Sequence, residues 1–352
     1  MFARVSGLVV VVALSGGCDD GSSDGASGGT SASGGTSSSG GASSGGGASG
    51  TGGNAGGGAS SGGASRGGAS SDGASGSGGA GSGGASSGGT GGTSAFGKSL
   101  RFHGTGQNDI DRVKIPIDAP ERPADIGQGD FTIELWLAVA AGENQATSCV
   151  AGGDGWINGN ILLDRDVYGP GDYGDFGLSL YQNGLAFGIS KGNSGTTICG
   201  ATNVQDGGWH HVAVTRVSAT GQVRLWVDGK LDASGTGPTG DVSYRDGRST
   251  AYPSSDPFLV LGAEKHDAGP AYPSFAGYLD ELRLSSSVRY TAPFTPSATP
   301  HAPDVSTLAL YHFDEGSGTQ LLDSSGAAGG PSHGLLKVGG PKNGPTYSSN
   351  AP

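Results

Sequence analysis

Trp209-His210-His211-Val212-Ala213-Val214-Thr215-Arg216 and, after a short break, Gln222-Val223-Arg224-Leu225-Trp226-Val227-Asp228-Gly229-Lys230 decide the fold class of this 352-residue chain. In the first run Val212 and Val214 point one way, and His211, Ala213 and Thr215 the other. In the second run Val223, Leu225 and Val227 oppose Arg224, Trp226 and Asp228. A side-chain period of two is the mark of a strand half-buried in a sheet. Asp228-Gly229 is a dipeptide that accepts the positive φ angles of a tight turn. The stretch is therefore a hairpin inside a larger sheet. His210 and His211 cannot chelate one ion together, because adjacent strand residues face opposite sides.

The same alternation recurs on both sides of the hairpin. Ser99-Leu100-Arg101-Phe102 is a short strand, followed by a polar loop from Gly104 to Asp111 and by Val113-Lys114-Ile115-Pro116-Ile117. Phe131-Thr132-Ile133-Glu134-Leu135-Trp136-Leu137 sets Phe131, Ile133, Leu135 and Leu137 on one face. Phe176–Leu180 and Leu185–Ile189 flank the turn signal Asn183-Gly184. Later come Phe258–Gly262, Gly277–Leu284 and Leu308–Phe313. No segment holds a capped helical period. Many strands separated by Gly, Pro, Asn and Asp indicate an all-β, antiparallel two-sheet sandwich. Trp136 and Trp226 lie opposite the aliphatic stripes of their strands, either on an open sheet face or beneath a loop.

These motifs, in this order, resemble the LamG-like domains of the concanavalin A-like, pentraxin-like jelly rolls. The resemblance rests on Ser99–Phe102 with its loop, Phe131–Trp136, the Trp209 hairpin, Gly277–Leu284 and Leu310-Tyr311-His312-Phe313-Asp314-Glu315-Gly316, and runs from Leu100 to about Tyr347. It implies one jelly-roll domain over residues 96–352. It also implies a rim calcium site, for which Asp109 and Asp111 of the early loop and Asp280 are the matching residues, with Asp280 as a strand residue bonded to backbone or to a neighbouring Arg as the alternative.

Two long interstrand stretches are the candidate ligand surface. Asp154–Asp175 interleaves Asp164 and Asp166 with Trp156, Tyr168 and Tyr173, and Gly235–Pro257 adds Tyr244 and Tyr252. Carboxylates accept hydrogen bonds from sugar hydroxyls while aromatic rings stack on the apolar face of a pyranose. An ordinary solvated loop is the alternative. The paired carboxylates of sandwich glycosidases, in the pattern Glu-x-Asp-x-x-Glu, do not occur. Asp280 and Glu281 are adjacent and so are expected on opposite faces. The chain has neither a Gly-x-Ser-x-Gly elbow nor a His-Glu-x-x-His pair.

Before Phe96 the chain changes character. The run Leu8–Leu14 behind Arg4 is too short to span a bilayer and reads as an export signal. Ser15-Gly16-Gly17-Cys18 resembles a bacterial lipobox, which implies acylation of Cys18. Residues 19–95 are almost entirely Gly, Ser, Ala and Thr, a composition unable to bury apolar surface and expected to be a disordered tether. Its reach as a coil is roughly 50 Å. With Cys18 acylated, Cys149 and Cys199 remain as an even pair, suited to a disulfide in an oxidising compartment, with two buried thiols as the alternative. The formal net charge is −12; four Asp against two Arg before Phe96 leave −10 on the rest. An acidic domain repels nucleic acid and anionic membranes. The expectation is an exported protein, secreted or lipid-anchored to the cell envelope, whose domain binds a glycan or a surface protein without catalysis. A structural surface lipoprotein or a carbohydrate-active enzyme is the alternative.

Overall fold

The computed structural model describes residues 95–118, 120–167, 174–182, 184–244 and 250–352. The leader, Cys18 and the Gly/Ser stretch lie outside the described residues, as do Tyr168 and Tyr173. Strands follow in chain order: β1 (Ser99–His103), β2 (Arg112–Pro116), β3 (Phe131–Ala138), β4 (Asn160–Arg165), β5 (Asp175–Tyr181), β6 (Gly184–Lys191), β7 (Ser194–Cys199) and β8 (Trp209–Val217). They continue with β9 (Gln222–Val227), β10 (Lys230–Thr236), β11 (Phe258–Leu261), β12 (Ala276–Ser285), β13 (Thr307–Tyr311), β14 (Gln320–Leu321), β15 (Gly334–Lys337) and β16 (Thr346–Ser348). Two short 3-10 turns interrupt them, and the fold is all-β.

One sheet runs β10-β9-β8-β3-β12-β1-β16, with β13 also on β12. The other runs β14-β15-β2-β11-β4-β5-β6-β7, and every ladder in both sheets is antiparallel. The opening hairpin is β8–β9, with Val212 opposite Val227 and Val214 opposite Leu225. Asp228 (φ +50°) and Gly229 (φ +73°) make the turn into β10, as the dipeptide predicted.

The inward stripes interlock as one core. Phe131, Ile133, Leu135 and Leu137 of β3 meet Val212, Val214, Val223, Leu225 and Val227, together with Leu279, Leu282 and Leu284. Across the sandwich lie Leu163, Phe176, Leu178, Phe187, Leu259 and Leu261. Fully burying each such side chain contributes roughly 1.5–3 kcal/mol.

Two findings differ from the alternation argument. First, β3 and β8 are buried on both faces. The connection after β12 lays Tyr290 and Phe294, stacked 3.6 Å apart, over the outer face, where Phe294 meets Trp226 edge-on and His211 lies among Trp136, Tyr290 and Phe294. Trp226 is thus under a loop, as one of its two expected placements had it. Secondly, β12 carries a bulge at Glu281 (φ +51°), where its register with β3 shifts. Leu279 and Leu282 both reach the core, so Asp280 and Glu281 sit between them in place of the expected alternation.

Cys149 and Cys199 form a disulfide that closes 50 residues of chain. In the loop-entropy account such a closure stabilises by about 4 kcal/mol. The bridge borders a small second core of Trp156, Ile161, Tyr181 and Ala186. Trp156 lies flat over Gly177 and Gly188, where any side chain would overlap its ring.

Candidate functional site

The site begins with strand pairing. β11 lies against β4, with Val260 opposite Asp164 and Leu261 opposite Leu163. The chain leaving β11 therefore delivers Glu264-Lys265-His266-Asp267 beside Asp164 and Asp166. Backbone donors then lock the corner. Lys265 N–H donates to Asp164 Oδ2 (2.9 Å), Asp166 N–H to Asp164 Oδ1 (2.6 Å), and His266 N–H to Glu264 Oε2 (2.8 Å).

His266 is the hub. Its Nε2 lies 2.5 Å from Asp256 Oδ1, and its Nδ1 lies 3.1 Å from Glu264 Oε1 and 3.3 Å from Asp166 Oδ2. Burial opposes charge on the ring, but the hydrogen bonds to Asp166, Asp256 and Glu264 outweigh it and push His266 up to about 11. Lys265 turns the other way, fully buried, with Nζ 3.8 Å from Asp256 Oδ1 and bonded to the Asp256 carbonyl at 3.1 Å. Burial lowers its pKa against the pull of Asp164 and Asp256. Burial raises Asp164, and the neighbouring charges of Asp166 and Glu264 add to the rise.

Above this cage is a cavity of about 250 Å³ lined by Ile157, Asp166, Tyr252, Glu264, His266, Asp267 and Tyr272. The two long stretches thus meet: Ile157 and Asp166 come from one, Tyr252 from the other. Tyr252 is 46% exposed, and its ring lies 4.7 Å from the His266 ring at 31°. The arrangement offers carboxylate acceptors beside a half-exposed aromatic ring.

Larger cavities exist elsewhere. One of about 590 Å³ is lined by residues such as Arg122, Gln128 and Leu308. Another, of about 560 Å³, runs past Gln107, Glu143 and Pro270. Neither is lined by a Phe, Tyr or Trp ring, so size is a poorer guide here than chemistry.

The expected ligand residues divide accordingly. Asp166 and Tyr252 line the cavity. Asp164 does not: it is wholly buried, and both its oxygens accept backbone hydrogen bonds that shape the corner. Trp156, 2% exposed, covers sheet glycines and has no face left for a ligand. Tyr244 packs on the main core, its N–H donating to Asp125. Glu264, His266, Asp267 and Tyr272 escaped the sequence reading. The signal was a charged run, Glu-Lys-His-Asp, directly after the apolar strand Phe258–Gly262.

The residues expected to hold calcium are not brought together. Asp109 is matched by cations, with Lys337 Nζ at 3.0 Å, Lys114 Nζ at 3.5 Å and Arg112 Nε at 4.0 Å. Asp111 Oδ2 accepts from His103 N–H, Thr105 N–H and the Thr105 hydroxyl, bracing the loop after β1. Asp280 lies on the β12 bulge, accepting from Glu281 N–H at 2.8 Å. Among the described residues, the acidic, His and Cys triplets with donor atoms within 4.8 Å of one another are Glu134–His211–His301 and Asp166–Glu264–His266, and neither includes these three.

Glu134–His211–His301 is a closed structural network. Glu134 accepts from Arg283 Nε at 2.8 Å, Tyr290 OH at 2.6 Å and His211 Nε2 at 3.3 Å. Burial alone would raise its pKa, but the hydrogen bond from His211 and the nearby positive charge bring it down to about 2. His301, driven down to about 4 by burial, is neutral at physiological pH, so Arg283 and Arg289 are the counter-charges. A metal there would face a guanidinium already in place.

A family model described as the concanavalin A-like lectin/glucanases superfamily matches residues 111–292, just over half the chain. Over 95 residues the chain is 34% identical to the Rattus norvegicus sushi, von Willebrand factor type A, EGF and pentraxin domain-containing protein 1. That match covers 26% of this chain and 2% of the relative. Among solved structures, a protein of Bacteroides ovatus named for an inferred carbohydrate-binding role aligns with TM-score 0.44 and 16% identity, over 72% of this chain and 59% of its own. The Limulus polyphemus SAP-like pentraxin aligns with TM-score 0.36 and 13% identity, over 56% and 79%.

Proposed function

With the premise that the chain belongs to the concanavalin A-like lectin/glucanases superfamily, we propose that it is a non-catalytic glycan-binding module whose site is the cavity above His266. One observation carries this reading: the half-exposed Tyr252 ring borders Asp166, Glu264 and Asp267 in a cavity of about 250 Å³ where an aromatic ring and carboxylate acceptors converge. A pyranose stacks on the ring while its hydroxyls donate to the carboxylates. Catalysis of glycoside cleavage needs one carboxyl free to give a proton and another free to attack or to activate water. Here Asp166 and Glu264 share one imidazolium, which supports binding over turnover.

The disulfide and the leader support work outside the cytoplasm. We read Cys18 as the lipid attachment point and the Gly/Ser stretch as the spacer that carries the domain outward. Replacing Cys18→Ser is expected to move the protein from the membrane fraction to the soluble one. For the site, a glycan array probed with the full chain and with Tyr252→Ala decides. The expected result is a small set of glycans bound by the wild type and lost in the variant. A flat array, or hits that survive Tyr252→Ala, contradicts this reading.

A further inference from the structure

The carboxylates around His266 have the donor chemistry of a hard-cation site. Asp166 and Glu264 each offer an oxygen within 4.8 Å of the other and of the ring, and Asp256 approaches from the opposite edge. A calcium ion needs about six to eight oxygens at roughly 2.3–2.6 Å around a common centre. In this molecule that centre is filled by protein. The imidazole reaches Asp256 with Nε2 and both Asp166 and Glu264 with Nδ1, so its two nitrogens face three carboxylates. With all three partners acting as acceptors, both nitrogens must carry protons, and the ring is a cation. Its own backbone N–H and that of Asp267 hold Glu264 Oε2 from below, at 2.8 and 2.5 Å, removing that oxygen from outward coordination. Lys265 Nζ lies 3.8 Å from the same Asp256 oxygen that His266 Nε2 meets, so the cage already brings two basic groups to that carboxylate. Tyr252 lies over the ring at 4.7 Å, a placement that favours positive charge beneath its face.

We infer that the site carries its own cation: the His266 imidazolium stands where a divalent ion would bridge Asp166, Asp256 and Glu264, so the cage assembles and binds without metal. A calcium ion therefore has no place to sit in this cage, which is a different position from the rim residues Asp109, Asp111 and Asp280 that the family resemblance implied. This deepens the reading of the cavity as a glycan site, but its test needs no glycan, so failure of one is distinguishable from failure of the other.

The test uses the full chain in three measurements. Calorimetric titration with calcium chloride is expected to give no saturable heat, and the melting midpoint is expected to be the same in excess calcium as in chelator. In ¹⁵N-labelled protein at a pH above neutrality, both ring nitrogens of His266, assigned by their loss in His266→Gln, are expected to be protonated. His266→Gln itself should melt lower in chelator and recover part of the loss in calcium, because three carboxylates are then left without their cation. Saturable calcium binding or a chelator-sensitive midpoint in the wild type that Glu264→Gln abolishes, or a singly protonated His266 ring, overturns the inference. If His266→Gln does not fold, the calcium arms on the wild type still decide.

Discussion

Among the described residues, two polar clusters, one on each sheet, are built from the same kinds of residue in opposite proportions. Around Glu134, a carboxylate, two imidazoles and two guanidiniums are sealed beneath Tyr290 and Phe294. Around His266, one imidazole and one ammonium are set among carboxylates beside a cavity with a half-exposed tyrosine. In the first, one acid meets two guanidiniums and two imidazoles; in the second, one imidazole is surrounded by acids. The lesson is that residue type does not separate a structural network from a ligand site. What separates them is whether the charges are consumed internally and whether solvent reaches an aromatic face.

The comparison breaks most sharply at Glu134. Glu134→Ala leaves Arg283 buried without its partner, a change that destabilises by about 3–5 kcal/mol. Denaturant unfolding of the full chain should show a loss of that size, while the affinity of the folded fraction for its glycan stays unchanged. An affinity loss equal to that of a cavity variant would erase the distinction.

Acid and alkali should loosen the two clusters in turn. Glu134 sits at about 2, against 4.5 for an ordinary glutamate. Its contribution is complete above the higher value and is lost as pH falls toward the lower. His266 sits at about 11, against 6.5 for an ordinary histidine. Its contribution is complete below 6.5 and is lost as pH rises toward about 11. The stability difference between wild type and His266→Gln should therefore be largest in mild acid and shrink through the alkaline range. The difference for Glu134→Gln should shrink only in strong acid. Matching pH profiles for the two variants would contradict the assignment.

Smaller effects sharpen the open cluster. Tyr252→Ala should leave the melting midpoint nearly unchanged, because the ring is half-exposed, yet weaken glycan binding about tenfold, the equivalent of one stacking contact. Smallest is a charge effect. With His266 neutralised by its partners, Asp166, Glu264 and Asp267 leave the cavity negative. A sialylated glycan should bind a few-fold more weakly than its neutral parent, with the gap narrowing as salt rises. Preference for the acidic sugar would show that the imidazolium faces the ligand.

The fold was legible because sandwich strands with one core face alternate, and alternation survives in Phe131–Leu137, in the Trp209 hairpin and in Leu308–Phe313. β4 was hidden inside an apparent loop because Asn160-Ile-Leu-Leu-Asp-Arg is buried along its whole length and shows no period of two. Burial of His211 and Trp226 was only half legible. The covering segment carries Tyr290, Phe294 and His301 at irregular spacing, and nothing local says which sheet it crosses. At the site, Asp166 and Tyr252 stood out as acid and ring in long stretches between strands. Glu264 and His266 did not, because their meaning depends on β11 pairing with β4, a contact between segments about a hundred residues apart. Trp156 misled for a physical reason: a large ring amid acids also serves to fill the space over two glycines.

The most direct test is NMR mapping of one glycan hit on the labelled full chain, following side-chain signals of Tyr252, Tyr272 and His266 alongside Tyr290 and His301. The account predicts saturable shifts at the first three and silence at the last two. Shifts gathered around Gln107 and Glu143, or over Tyr290, with His266 unmoved, would place the ligand elsewhere and contradict it.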